Sequence, residues 1–239
     1  MILRFAIFSA LFASSCSQCF SSVYINEFDY DNVGSDNQEW IELVGTAGTS
    51  LNAYELVFIN GANNAIYNTF DLAPANFTFS DETASGWGFF VLGIVGSEYG
   101  SLPVADYTPA TWTIDELQNG APDSIQLRLK GTPPTNVHFI DYEGDDADTS
   151  EDQFIPATVA DNNAEVGKSL YITGNFDSFF DVFVELEFEF GLGTPGALNN
   201  GQTLTDLSTG IVPEPASFLV WGGVGLLGLA MATLKKRAA

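Results

Sequence analysis

The sequence predicts an all-β fold, a sandwich of two sheets, held between two apolar termini. Three observations predict it. Seven or more short runs rich in Val, Ile, Tyr, Phe and Trp are separated by Gly, Pro and Asn turns, the punctuation of an antiparallel sandwich. Several runs alternate polar and apolar residues, the period of a strand with two unlike faces. Both ends carry apolar stretches that belong to export and anchoring, which leaves about 190 residues, enough for one domain with a substantial core.

At the front, Met1-Ile2-Leu3-Arg4 supplies a positive charge and Phe5 to Ala13 a short apolar core followed by small residues. This is a signal-peptide pattern over residues 1–22, too short for a membrane span. Cys16 and Cys19, the two cysteines of the chain, lie at its boundary. Lipidation at Cys16 is an alternative, although Ala13-Ser14-Ser15 lacks the usual Leu. With cleavage after Cys19 neither disulfides nor a thiol nucleophile enters the mature chain.

The domain is expected over residues 23–201. Val23 to Phe28 reads as the first strand, followed by a turn-rich loop from Asp29 to Asn37. Glu39-Trp40-Ile41-Glu42-Leu43-Val44 alternates acid and apolar residues, so it reads as a half-buried strand with a solvated acidic face. Ala53 to Ile59 and Ala65 to Leu72 form a hairpin about Asn60-Gly61 and Asn63-Asn64. Gly88 to Gly93 is a central strand, and Ser124 to Leu127 follows the turn at Asn119-Gly120-Ala121-Pro122. Val137 to Glu143, Gly167 to Leu170, and the acid-alternating run Phe179 to Phe190 complete the set. Residues 202–211 read as a short polar linker.

Charge excludes one class of partner. Seven Lys and Arg stand against 31 Asp and Glu, a net charge of −24, and only Arg128, Lys130 and Lys168 lie between signal and anchor. Such a surface repels nucleic-acid phosphate. It suits solubility outside the cell.

At the far end, Ala216 to Leu234 carries no charge and ends at Lys235-Lys236-Arg237. At about 1.5 Å per residue the run just crosses a hydrocarbon core of roughly 30 Å, so it reads as a single transmembrane helix. The basic cluster stops it on the cytoplasmic side. Val212-Pro213-Glu214-Pro215, the span and the basic tail resemble the PEP-CTERM sorting signal over residues 212–239. The resemblance implies a bacterial exported protein processed by an exosortase, a membrane protease-transpeptidase.

A second resemblance covers the ectodomain. Tyr24-Ile25-Asn26-Glu27-Phe28, Glu39-Trp40-Ile41-Glu42-Leu43, Leu51 to Val57 and the closing Gly193-Thr194-Pro195-Gly196-Ala197-Leu198-Asn199 are similar to the lamin-tail domain of bacterial secreted proteins. This implies an immunoglobulin-like β-sandwich. The family's last strand usually carries a Trp, where this chain has Phe179 to Phe190.

Chemistry is sparse. His138 is the one histidine and no Gly-x-Ser-x-Gly elbow is present, so a serine-hydrolase triad and a zinc site are both disfavoured. Calcium is the better inorganic candidate, because hard oxygen ligands on loops are what it takes. Asp29, Asp31 and Asp36 lie in one loop, and Asp141, Glu143 and Asp145 in another, although neither has EF-hand spacing. The expected function is therefore a non-catalytic binding or structural domain, sorted by exosortase to the cell surface or extracellular matrix. One alternative is an exopolysaccharide-binding module using Trp87, Tyr99 or Trp112. The other is a divergent secreted hydrolase using clustered carboxylates.

Overall fold

Runs of β-branched and aromatic residues become strands, and their turn residues end them. In the computed structural model the described residues are 23–32, 34, 36, 38–99, 105–120, 122–144, 153–154, 167–176 and 187–205. Along the chain they form β1 (Val23–Asp29), β2 (Trp40–Thr46), β3 (Tyr54–Asn60), β4 (Ala65–Asp71), β5 (Trp87–Gly93) and β6 (Asp123–Leu129). There follow β7 (Thr135–Tyr142), β8 (Gln153–Phe154), β9 (Lys168–Phe176), β10 (Glu187–Leu192) and β11 (Gln202–Leu204). Helix among the described residues is confined to single 3-10 turns at Leu51–Ala53, Ala73–Ala75 and Ser97–Tyr99.

The strands make two sheets. One runs β10-β9-β1-β2-β5, with β11 added parallel to the end of β9; the other runs β4-β3-β6-β7-β8. All pairings are antiparallel except β11 with β9 and β8 with β7. Register puts apolar side chains side by side on one face of each sheet, because directly paired residues share a face. In the first sheet Phe28 lies between Ile41 and Leu170, with Leu92 and Phe190 beyond them. In the second, Phe58 pairs with Ile125, which pairs with Ile140. A single core draws on both sheets, and aromatic edges join them: Phe28 meets Tyr142 at 5.5 Å between centroids. Each fully buried large side chain here stabilises by roughly 1.5–3 kcal/mol. The all-β, two-sheet architecture is as the sequence predicts.

Two expectations are corrected. Alternation made the Glu39–Val44 run half-buried, yet β2 is buried along its whole length, as are β1 and β5. The reason is a second cover. The outer face of the first sheet lies beneath the loop carrying Tyr99 and beneath the closing segment after β10. Tyr99 packs edge-on against Trp40 at 5.3 Å, and Thr194 and Gly196 bond to Glu27 and Glu42. The domain also runs past Gly201, since Gln202–Leu204 is a strand and not linker. The Trp87 indole N–H donates to the Thr205 carbonyl at 3.0 Å and secures the strand's exit. In β10, by contrast, Glu187 and Glu189 are exposed while Phe188 is buried, the alternation expected. Every described residue lies within the unit Ser21–Ser208. The segments expected to be a signal peptide, a transmembrane helix and the rest of a linker lie outside the described residues.

The few cations among the described residues sit on strands or at their ends. Arg128 in β6 bonds Glu55 in β3 at 2.6 Å, Lys130 just after β6 bonds Asp71 at 2.5 Å, and Lys168 in β9 lies over the Phe190 ring. One glycine marks how tightly the sheet is covered. Gly93 ends β5 at φ +118°, and a Cβ there would lie 2.5 Å from the Glu39 carbonyl oxygen and 2.9 Å from the Trp112 ring. Backbone strain and overpacking add up, so Gly93→Ala is expected to lower stability by about 3–5 kcal/mol, read from urea unfolding. A loss under about 1 kcal/mol would show that the cover yields.

Candidate functional site

Two groups of buried acids carry what chemistry the domain has. The first lies under the closing segment. Glu27 in β1 and Glu42 in β2 are directly paired and wholly buried. Glu27 accepts hydrogen bonds from the Ser169 hydroxyl, from Thr194 N at 2.9 Å and from the Thr194 hydroxyl at 3.3 Å. Glu42 accepts from Asn26 Nδ2 at 2.6 Å and Gly196 N at 2.5 Å. Around them Asn199 Nδ2 donates to the carbonyls of Asn26 and Ile172, and Gln202 Nε2 donates to Asn26 Oδ1 at 2.6 Å. Gly193 passes so close that a Cβ would lie 2.5 Å from the Tyr99 ring and 2.9 Å from Glu27 Oε1.

Burial is the main force on this pair. It raises Glu27 to about 7 against the pull of its three donors, with the Asp29 charge adding to the rise. Burial and the Glu27 charge together raise Glu42 well above the usual range. Such a split could serve acid–base chemistry, but neither carboxyl has any exposed surface for a substrate to reach. What the pair does is tie down residues 193–202. Glu39, also buried, plays the same part elsewhere. It accepts from Glu116 N at 2.5 Å and Leu117 N at 3.2 Å, and burial pushes it up to about 9.

The second group lies at one end of the second sheet. Asp123 opens β6, in register with Asn60 of β3 and Tyr142 of β7, so all three share a face. Asp123 is 1 % exposed and neither of its oxygens accepts a hydrogen bond. Asn60 Oδ1 and Glu143 Oε2 are likewise buried without a partner. Burial raises Asp123 to about 7, with the Glu143 charge adding; the amides of Gly61 and Gly120 oppose this without closing to full hydrogen-bond geometry. Burial also raises Glu143, helped by the Asp31 charge and opposed by the Tyr30 hydroxyl and the Gly120 amide. A cavity of about 370 Å³ opens here, lined by Asn60, Asp115, residues 117–120 and Asp123.

No family model, curated protein or solved structure matches this chain. The geometry therefore has to speak for each expected site residue.

The two acidic loops converge only in part. Asp31 acts on both Asp36 and Glu143, so these three are neighbours. Asp29 turns the other way, buried beneath Tyr99, whose hydroxyl donates to it at 2.6 Å. Asp36 accepts from Asn32 N at 2.8 Å and Asn119 Nδ2 at 2.9 Å. Asp141 is buried in β7 opposite Ser124, and Asp145 lies outside the described residues. Among the described residues no three His, Cys, Asp or Glu side chains converge to hold a metal ion. Sequence reasoning missed Asp123 and Asn60. A usable signal was there: Asp123 falls on the inward phase of the strand that carries Ile125 and Leu127, where an acid is out of place.

His138 is buried and satisfied, its Nδ1 accepting from Ile25 N at 3.0 Å. The aromatics proposed for sugar stacking are turned inward. Trp87 and Trp112 are buried, the Tyr99 hydroxyl is bonded, and no aromatic ring among the described side chains is exposed. The residues expected to form a sorting motif, Val212, Pro213, Glu214 and Pro215, and those expected to stop a span, Lys235, Lys236 and Arg237, lie outside the described residues. Among the described residues no helix is long and apolar enough to cross a membrane.

Proposed function

We propose that the chain is an exported, exosortase-sorted protein that displays a non-catalytic, lamin-tail-like β-sandwich at the bacterial surface or in the extracellular matrix. In this reading residues 1–22 direct export and residues 212–239 hold the chain in the membrane until sorting. The immunoglobulin-like domain between them binds or builds.

One observation carries the non-catalytic part. Three of the buried acids, Glu27, Glu42 and Glu39, are spent on backbone amides and not set in an open cleft. Glu27 and Glu42 fasten the closing segment, and Glu39 fastens Glu116 and Leu117. The same observation supports the lamin-tail reading. Asn26-Glu27, Glu42 and Thr194 to Asn199 come from the separate motifs that carry the resemblance, and they meet in one hydrogen-bonded patch. The exposed large hydrophobic side chains among the described residues, such as Ile66 and Ile114, are aliphatic and offer no aromatic sugar platform.

The test is the intact mass and location of the native protein, with residues 212–239 present or deleted. Loss of the tail's mass with release, or with a new attachment, is the expected result. A full-length mass in the membrane fraction would leave a plain anchor and sink the exosortase reading.

A further inference from the structure

We propose that the end of the second sheet formed by Asn60, Asp123 and Glu143 binds a calcium ion. The inference stands apart from the export reading and rests on oxygens that the fold buries and leaves without partners. Both oxygens of Asp123, Oδ1 of Asn60 and Oε2 of Glu143 have no hydrogen-bond donor. Asp123 is 1 % and Glu143 7 % exposed. A buried acceptor left unmade costs more than a hydrogen bond gains, and folds seldom tolerate several together.

The three side chains converge because the strands make them. Asn60 and Asp123 are directly paired across β3 and β6, and Asp123 and Tyr142, the residue before Glu143, across β6 and β7. Glu143 takes φ +59°, which turns the chain at the strand's end. The Gly120 amide lies near both carboxyls, which places them about one spot. Asn60 Nδ2 donates to Gln118 Oε1 at 2.8 Å and so holds its amide in one orientation, with Oδ1 left over.

No cation of the described domain serves this spot: Arg128 and Lys130 are paired with Glu55 and Asp71, and Lys168 lies over Phe190 in the other sheet. Asp31 adds further negative charge beside Glu143. A cation from solution is the ligand these oxygens suit. All the waiting atoms are hard oxygens, and a carboxylate with both oxygens free can bind bidentate, as calcium favours. The adjoining cavity of about 370 Å³ has room for the waters that complete six to eight ligands. Magnesium, which demands near-ideal octahedral geometry, suits a site of fixed sheet residues less well.

The experiment is calorimetric titration of calcium into the full chain in detergent, after chelation and at about 0.15 M KCl, where diffuse attraction is screened. Expected are saturable binding of about one ion per chain at roughly 0.1–1 mM, a raised melting temperature, and a weaker response to magnesium. Asp123→Asn should cut the affinity by about a hundredfold or more. Without calcium that variant should melt at or above the parent's temperature, because an unpaired buried acid has been removed. Asn60→Ala should also weaken binding, whereas Glu187→Gln, an exposed acid on β10, should leave it unchanged. Absence of saturable binding at about 10 mM would overturn the proposal, that level being far above the range for extracellular modules. Parent-like binding by Asp123→Asn would overturn it as well, and so would an equal loss in Glu187→Gln.

Discussion

Raising the pH from 5 to 8.5 is expected to lower the unfolding free energy by on the order of 7 kcal/mol, the reverse of ordinary acid denaturation. The sign follows from the direction of the shifts. Glu27 goes from 4.5 to about 7 and Glu39 from 4.5 to about 9, both chiefly through burial, so the folded chain holds protons that the unfolded chain releases. Their contribution is fully present below pH 4.5. It is lost for Glu27 as the pH passes 7 and for Glu39 as it approaches 9. The charges facing these groups are all acidic, Asp29 and Glu42 around Glu27 and Asp36 and Asp115 around Glu39, so ionisation meets repulsion as well as burial. Lys130 lowers Asp71, but that contribution is complete above about pH 4, so it is flat across this window, and the pair is at the surface and weak. Urea midpoints at stepped pH, with a chelator present, check the prediction. A flat or rising profile would mean that water reaches the buried carboxyls.

Glu42→Ala is expected to cost about 3–4 kcal/mol and to loosen the closing segment first. It leaves Asn26 Nδ2 and Gly196 N without their acceptor and opens a void on the covered face of β2. Glu42→Gln keeps the volume and one acceptor oxygen, and should cost only about 1 kcal/mol. Hydrogen exchange separates this from a general loss of stability. In Glu42→Ala the amides of Gly193, Gly196 and Gln202 should exchange well before those of β3 and β6. Equal acceleration across both sheets would show that the closing segment is not a separate unit.

Most strands were legible from local pattern alone. Val23 to Phe28, the Ala53–Leu72 hairpin and Gly88 to Gly93 stand within a residue or two of where their apolar runs and turn residues put them. What pattern cannot reveal is what lies on a strand's second face. Glu42 lies on the face opposite Ile41 and Leu43, where a charged residue reads as solvated, and Glu39 stands just before the strand, where a loop acid would. The residues that bury them, Thr194 and Gly196 for Glu42's patch and Glu116 for Glu39, are about 75 to 155 positions away. The strand Gln202–Leu204 was missed for a like reason: three polar-flanked residues have no period, and only β9 makes them a strand. At the acidic end, the sequence marked Asp31 and Glu143 as loop acids. It could not show that register sets Asp123 and Asn60 beside each other, nor that Asp29 and Asp141 turn away.

The placement of the three cations among the described residues has a consequence for how the domain meets a protease. A trypsin-like protease must draw an extended segment around a Lys or Arg into its cleft. Here Arg128 lies within β6, Lys168 within β9, and Lys130 is bonded through its own amide to the Ala53 carbonyl. The bonds after Arg128 and Lys168 thus lie within strands, whereas the bond after Lys130 opens the exposed turn at Gly131 to Pro133. An enzyme of that specificity reaches the bonds after Arg128 and Lys168 only after the strands part, which leaves the turn after Lys130 as the one point of entry among the three.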